Sequence, residues 1–165
     1  AVEIEGEAFW DGGYSGNPAF LPLVFNCDSS DVVLVQINPI QRQEVPTTSA
    51  DILDRLNEIT FNSALIAEMR AIDFVKRLLA EGKLDPKHYK NVLMHRIDGG
   101  QELDAYPASS KADTGADLIY RLRDLGKRSA AQWLDRKLPN VGVVSSINIA
   151  RDYLDDMRVP VSRQK

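Results

Sequence analysis

The spacing of apolar residues changes near position 48. Before it the chain reads as extended. Val2 and Ile4 alternate with Glu3 and Glu5, and residues 7–10 resume the pattern after Gly6, which predicts two short strands around a turn. Pro18 and Pro22 bracket Ala19-Phe20-Leu21, leaving room for at most one helical turn before Leu23-Val24-Phe25-Asn26. A polar loop, residues 26–31, leads into Val32-Val33-Leu34-Val35-Gln36-Ile37. This nearly continuous β-branched run has apolar residues on both sides, the pattern of a strand covered on both faces in a parallel or mixed sheet. Asn38-Pro39 ends it.

After the polar connection at residues 41–48, the period becomes helical. Thr48 or Ser49 suits an N-cap, and Asp51 and Asp54 fall near the first turn, where the helix dipole favours anions. Ile52, Leu56, Ile59, Phe61, Leu65, Met69, Ile72, Val75 and Leu79 then recur at helical spacing. This predicts one helix of roughly 45 Å, or two broken near residues 60–63, ending at Gly82. Residues 91–97 read as a strand that stops at Asp98-Gly99-Gly100. Residues 112–138 return to helical spacing, with Asp113 or Thr114 as cap and Leu118, Leu122, Leu125, Trp133, Leu134 and Leu138 inward. Gly126 is a candidate break, residues 147–157 a last short helix, and residues 159–165 a frayed tail.

Composition narrows the functional classes. The 165 residues carry 20 Lys+Arg against 24 Asp+Glu, a net charge of -4 with the signs interspersed. Nucleic acid is not an expected partner, because phosphate binding needs clustered cations. One cysteine, Cys27, excludes an internal disulfide and a multi-cysteine zinc site, and fits a reduced, cytoplasmic setting. No apolar run is long enough to cross a membrane, so membrane contact is expected to be peripheral at most. His88 and His95 are the two imidazoles, and neither has a cysteine or acid at ligand spacing from both. No metal and no cofactor are expected. His95, on a predicted strand, reads as a hydrogen-bonded core histidine.

The stretch with chemical character is Phe9-Trp10-Asp11-Gly12-Gly13-Tyr14-Ser15-Gly16-Asn17-Pro18. A strand runs into an aspartate, and the glycines behind it permit positive φ and close backbone approach, so a carboxylate is held at a sharp strand exit. Asp-Gly is also the commonest hairpin signal, and a simple turn remains the alternative. Trp10 beside Asp11 would desolvate the carboxylate and raise its basicity, although sheet packing explains a tryptophan there as well.

The strand ending in Asp11-Gly12-Gly13, with Asn17-Pro18 a short loop beyond and an apolar run after it, resembles the aspartate motif of patatin-like acyl hydrolases. Gln36-Ile37-Asn38-Pro39-Ile40, Phe61-Asn62-Ser63 and His95-Arg96-Ile97-Asp98 extend the resemblance to the C-terminal region of a bacterial branch of patatin-like phospholipases. The resemblance implies an α/β fold: the end of a patatin-like core over residues 1–42, with strands near 2–10, 32–37 and 91–97, and a mainly helical C-terminal region over 43–165. It implies a serine–aspartate dyad cleaving a lipid acyl ester, with Asp11 as general base and Gly12, Gly13, Asn17 and Pro18 supporting its loop.

The nucleophile has no match. Gly-x-Ser-x-Gly is absent, and Gly13-Tyr14-Ser15-Gly16-Asn17 carries its second glycine one place early. The glycine-rich oxyanion loop is absent too. The expectation is therefore a downstream portion of a larger polypeptide, inactive alone, whose partner is an N-terminal segment carrying Gly-x-Ser-x-Gly. Ala1 without an initiator methionine, opening directly on a strand pattern, agrees with that expectation. Self-association is a further expected possibility. Asp98-Gly99-Gly100 lacks the Asn-Pro continuation and reads as a strand-ending turn. The rival functional class is a non-enzymatic helical interaction module; an inactive homologue is a third reading.

Overall fold

The longest element is a helix, and the fold is mixed α/β. The computed structural model describes residues 1–42 and 44–154. In chain order the elements are β1 (Val2–Ile4), β2 (Glu7–Phe9), α1 (Leu21–Asn26), β3 (Asp31–Gln36), α2 (Ser49–Ala80), β4 (Leu93–Asp98), α3 (Gly100–Asp104), α4 (Ala116–Lys137) and α5 (Ile149–Tyr153). Three-ten turns occupy Gly12–Tyr14, Ala108–Ala112 and Leu138–Asn140.

α2 runs unbroken for 32 residues, about 48 Å at the rise of an α-helix. Thr48 Oγ1 accepts the Asp51 N–H at 3.2 Å and donates to the Asp51 carboxylate at 2.6 Å, so one side chain satisfies an orphan donor of the first turn. At the other end Gly82 sits at φ +67. Lys83 N–H bonds to Leu78 C=O at 2.9 Å and Gly82 N–H to Leu79 C=O at 3.0 Å. This left-handed cap is open without strain to glycine alone.

α2 is the crossover that lets β3 and β4 run parallel, in register Asp31↔Leu93 through Gln36↔Asp98. Leu34 of β3 and Met94 of β4 meet Leu65, Met69 and Ile72 of α2 and Ile149 and Tyr153 of α5 in one core. Phe20, just ahead of α1, closes its edge, so residues on either side of position 42 share that core. α4 lies against β4 and brings Trp133 edge-on to His95, centroids 6.2 Å apart.

Several expectations are corrected. Residues 2–10 do form two strands, but they make a separate antiparallel hairpin, exposed along its length, and do not join the β3–β4 sheet. Glu5 (φ 53) and Gly6 (φ 83) form a left-handed two-residue corner that matches strand twist. The corner pairs β1 with β2 locally, for less loop-closure entropy than a distant partner. Residues 21–26 are helical through Pro22, which lies in the first turn where its missing N–H is not needed.

On α2 the first-half apolar stripe points outward: Ile52, Leu56 and Ile59 are half exposed. The inward face there is Glu58 and Asn62, because it meets the polar loop after β3 and not an apolar surface. Asn62 Nδ2 donates to Pro39 C=O at 2.8 Å, and Glu58 is buried between Arg42 and Arg55. On α4, Leu118, Leu125 and Trp133 are buried, whereas Leu134 and Leu138 are about half exposed. Leu134 follows Trp133 immediately, and one residue is a 100° turn away from the inward stripe. Gly126 does not break α4, which begins at Ala116 after Gly115, held by the Asp113 carboxylate on its N–H at 2.7 Å. The expected last helix spans Ile149–Tyr153; its continuation to 157 and the tail at 159–165 lie outside the described residues.

Replacing Met69, which has no solvent exposure, by alanine is expected to cost about 3 kcal/mol. Leu134→Ala should cost under about 0.5 kcal/mol, as for an ordinary surface substitution. Chemical denaturation of the two variants checks both; a large loss at Leu134 would restore the sequence-based inward face.

Candidate functional site

Asp11 leaves β2 through Trp10 and caps the three-ten turn Gly12–Tyr14. Its Oδ1 accepts the Gly13 N–H at 2.7 Å, and the Tyr14 N–H reaches the Asp11 C=O at 3.2 Å. The carboxyl is exposed, and its second oxygen takes no hydrogen bond among the described residues. The two glycines differ. A Cβ at Gly12 would meet nothing within 4 Å, while one at Gly13 would come within 3.1 Å of Asp11 Oδ1 and 3.4 Å of Phe61 Cε1. A side chain at Gly13 would crowd the Asp11 carboxylate and Phe61, whereas Gly12 has room, and neither glycine takes the positive φ that the sequence allows. Ser15 donates its hydroxyl to the Gly12 C=O at 3.1 Å and serves the turn. Trp10 is 74% exposed, so it leaves Asp11 in solvent, contrary to the desolvation expected of it.

Two contacts dock this turn on α2. Tyr14 lies on Phe61 with ring centroids 5.7 Å apart, and Glu68 accepts the backbone N–H groups of Phe20 and Leu21, the latter at 3.3 Å. Glu68 thus does the capping at the head of α1 that Phe20 has no side chain to do. Asn17 and Pro18 fall between these two contacts, Asn17 exposed and Pro18 half-buried. Phe61 in turn lies 5.5 Å below Lys111 Nζ, and that ammonium donates to Asn38 Oδ1 at 2.7 Å. The next residue of α2, Asn62, holds the Pro39 carbonyl. The Asp11 turn is therefore tied, through one aromatic layer, to the C-terminal end of β3.

At that end of the sheet a groove of about 350 Å³ opens between β3 and α4, walled by Val35, Ile37, Leu122, Leu125 and Gly126 with Lys111 on its rim. Its size is at the lower end of small-molecule sites, and C-terminal strand ends are where open α/β sheets take ligands. Asp11 is not among its lining residues.

His95 is the buried polar centre of the sheet. Its ring has no solvent exposure; Nε2 lies 2.9 Å from Asp31 Oδ1 and Nδ1 lies 3.0 Å from Ser146 Oγ. In the neutral ring, Nε2–H donates to the carboxylate and Nδ1 accepts the serine hydroxyl, the residue types of a Ser-His-Asp relay with the two ring nitrogens exchanged. Burial decides against catalysis. A general base must afterwards hand its proton to a leaving group, and no substrate atom reaches a ring with zero exposure. The three residues act as a clamp instead. Ser146 N–H bonds to Met94 C=O at 3.0 Å, Met94 N–H to Ser145 Oγ at 3.0 Å, and Gly142 N–H to Asp31 at 2.8 Å. The loop after α4 is thereby stitched along the outer edge of β4. The Trp133 indole N–H, buried nearby, has no partner among the described residues.

The other candidates have local roles. Asp98 accepts the Gly100 N–H at 3.1 Å and pairs with Arg96 at 2.6 Å, and the chain turns directly into α3 with no further strand. His88 pairs with Asp85 on the surface, and Cys27 is exposed. Among the described residues no three His, Cys, Asp or Glu side chains converge as metal ligands, and no helix is long and apolar enough to cross a membrane. Asp31 and Ser146 escaped sequence reasoning. They lie 64 and 51 residues from His95, and nothing in the local pattern of either announces the pairing.

The Asp31 carboxyl is held below its ordinary value of 3.8, first by the Gly142 N–H and then by His95. A depressed folded value means that its stabilisation is whole above about pH 4 and is lost as pH falls further. Melting temperature measured between pH 6 and 2.5 should fall less steeply in Asp31→Asn than in the parent chain. His95→Ala, which removes the packing and orphans Asp31, should cost about 3 kcal/mol. Comparison with protein-family models, with curated proteins and with solved structures finds no match to this chain.

Proposed function

We propose that this chain is the C-terminal part of a patatin-like serine–aspartate acyl hydrolase, and that Asp11 is its general base. The observation that carries the reading is the state of the Asp11 carboxylate. One oxygen is immobilised by the Gly13 N–H, and the other is exposed and has no hydrogen bond among the described residues, on a turn docked against Phe61 of α2. A serine hydroxyl arriving there from an upstream Gly-x-Ser-x-Gly segment gives its proton to that free oxygen as its Oγ bonds to the ester carbonyl carbon. Collapse of the tetrahedral adduct expels the alcohol, which takes the proton back. Water then cleaves the acyl-serine with the same carboxylate as base. The substrate class is a carboxylic ester of lipid type, and the chemistry asks for no cofactor.

The interaction-module reading keeps one observation of its own. Ile52, Leu53, Leu56 and Ile59 form an exposed apolar stripe on α2, and the Gly13 bond is also what a plain Asp-Gly turn makes. One substitution separates the two. Asn at position 11 retains an acceptor for the Gly13 N–H but accepts no proton. Asp11→Asn in the polypeptide carrying the upstream segment should keep its melting temperature and lose about 10²–10⁴-fold in ester turnover. Undiminished turnover removes Asp11 from the mechanism. The 165-residue chain by itself should not be labelled by a serine-directed fluorophosphonate.

A further inference from the structure

The two long edges of the β3–β4 pair are treated differently. Leu93 N–H bonds to Ser30 C=O at 2.8 Å, which sets the phase of the parallel ladder. In β3, Val32, Leu34 and Gln36 turn their backbone groups toward β4, and Asp31, Val33 and Val35 turn theirs away. In β4 the outward residue Met94 is satisfied on both its N–H and its C=O by Ser145 and Ser146, and Arg96 beyond it has no backbone partner among the described residues. At the start of β3, Ser29 Oγ serves both backbone groups of Asp31. Val33 and Val35 have no backbone partner on that side among the described residues. Their side chains are 44% and 66% exposed, and Ile37 just beyond is 60% exposed.

We infer that the outer edge of β3 is the seat of another extended strand, and that this strand comes from the upstream segment that would bring the nucleophile. The proposal rests on the acyl-hydrolase reading for the identity of the partner, and on the open ladder for its chemistry. Unpaired N–H and C=O groups repeating at every second residue are matched in spacing and direction by another extended backbone. The flanking side chains are β-branched and apolar, with neither lysine nor proline at Val33 or Val35 to discourage pairing, as a permanently free edge would have. Parallel pairs belong to sheets buried on both faces, which two strands alone do not provide. The groove beside Val35 and Ile37 would take the incoming strand's side chains against α4. A strand seated parallel to β3 would end beside Asn38, which Lys111 holds, and Lys111 lies over Phe61, the ring on which Tyr14 of the Asp11 turn rests. The loop leaving it would then emerge on the side of the Phe61 layer that carries the Asp11 turn.

Residue-resolved amide exchange tests the inference, comparing the 165-residue chain with the polypeptide that carries the upstream segment. Val32, Leu34 and Gln36 should be protected in both. Val33 and Val35 should exchange rapidly in the shorter chain and at least about 100-fold more slowly in the longer one. Unchanged fast exchange of Val33 and Val35 in the longer polypeptide overturns the proposal. So does slow exchange already in the shorter chain. In that case a dimer in sedimentation equilibrium would name a second copy as the occupant, and a monomer would name an internal one. The readout is independent of turnover. Loss of activity in Asp11→Asn together with an unprotected edge would sink the strand seat and leave the general base standing, and the opposite pattern would do the reverse.

Discussion

Two parallel strands can be joined only by a crossover, and both faces of the pair must then be covered, because parallel ladders are stable where water is excluded. That constraint shapes the chain. α2 spans the crossover from the end of β3 back to the start of β4, and in doing so lays Leu65, Met69 and Ile72 over one face. On the other face α4 packs Trp133 against His95 of β4, and the loop after it holds Met94 at the β4 edge, but Val33 and Val35 stay 44% and 66% exposed, so β3 is not covered on both faces as its apolar run predicts. The outer side of β3 remains open, with the apolar groove beside Val35 and Ile37; past its end Lys111 joins Asn38 to Phe61, the ring that carries the Asp11 turn.

Polar groups inside this arrangement are held to their places by partners from distant parts of the chain. Glu58 is almost wholly buried, yet Arg42 and Arg55 both contact it, and Arg42 also donates to the carbonyl groups of Asp104 and Tyr106. A buried charge with this many partners ties three segments together, whereas an unpaired one would be expelled or neutralised. His95 does the equivalent work for β3, β4 and the loop carrying Ser146. It gathers the residue types of a catalytic relay, but with the ring nitrogens exchanged and the ring fully buried, so hydrogen-bond distances alone do not make an active site. Asp11 is the converse case. It has one modest hydrogen bond and wide exposure, and chemical competence there depends on what docks beside it.

The sequence by itself determined the elements whose causes are local. The Thr48 cap, the Gly82 stop, the β-branched run of β3 and the Asp-Gly-Gly turn each follow from propensities acting over a few residues, and each is present in the structure. Tertiary structure alone decided which face of α2 turns inward ahead of Leu65, because apolar periodicity at Ile52, Leu56 and Ile59 says only that a stripe exists. The neighbour it meets is a polar loop, so Glu58 and Asn62 are buried in its place. Tertiary structure also decided that β1 and β2 pair with each other, that Leu134 faces water, and that His95 finds Asp31 and Ser146 across long stretches of chain. Those outcomes depend on which surfaces meet once long loops close. Residues far apart in sequence carry no local mark of the partner they will have.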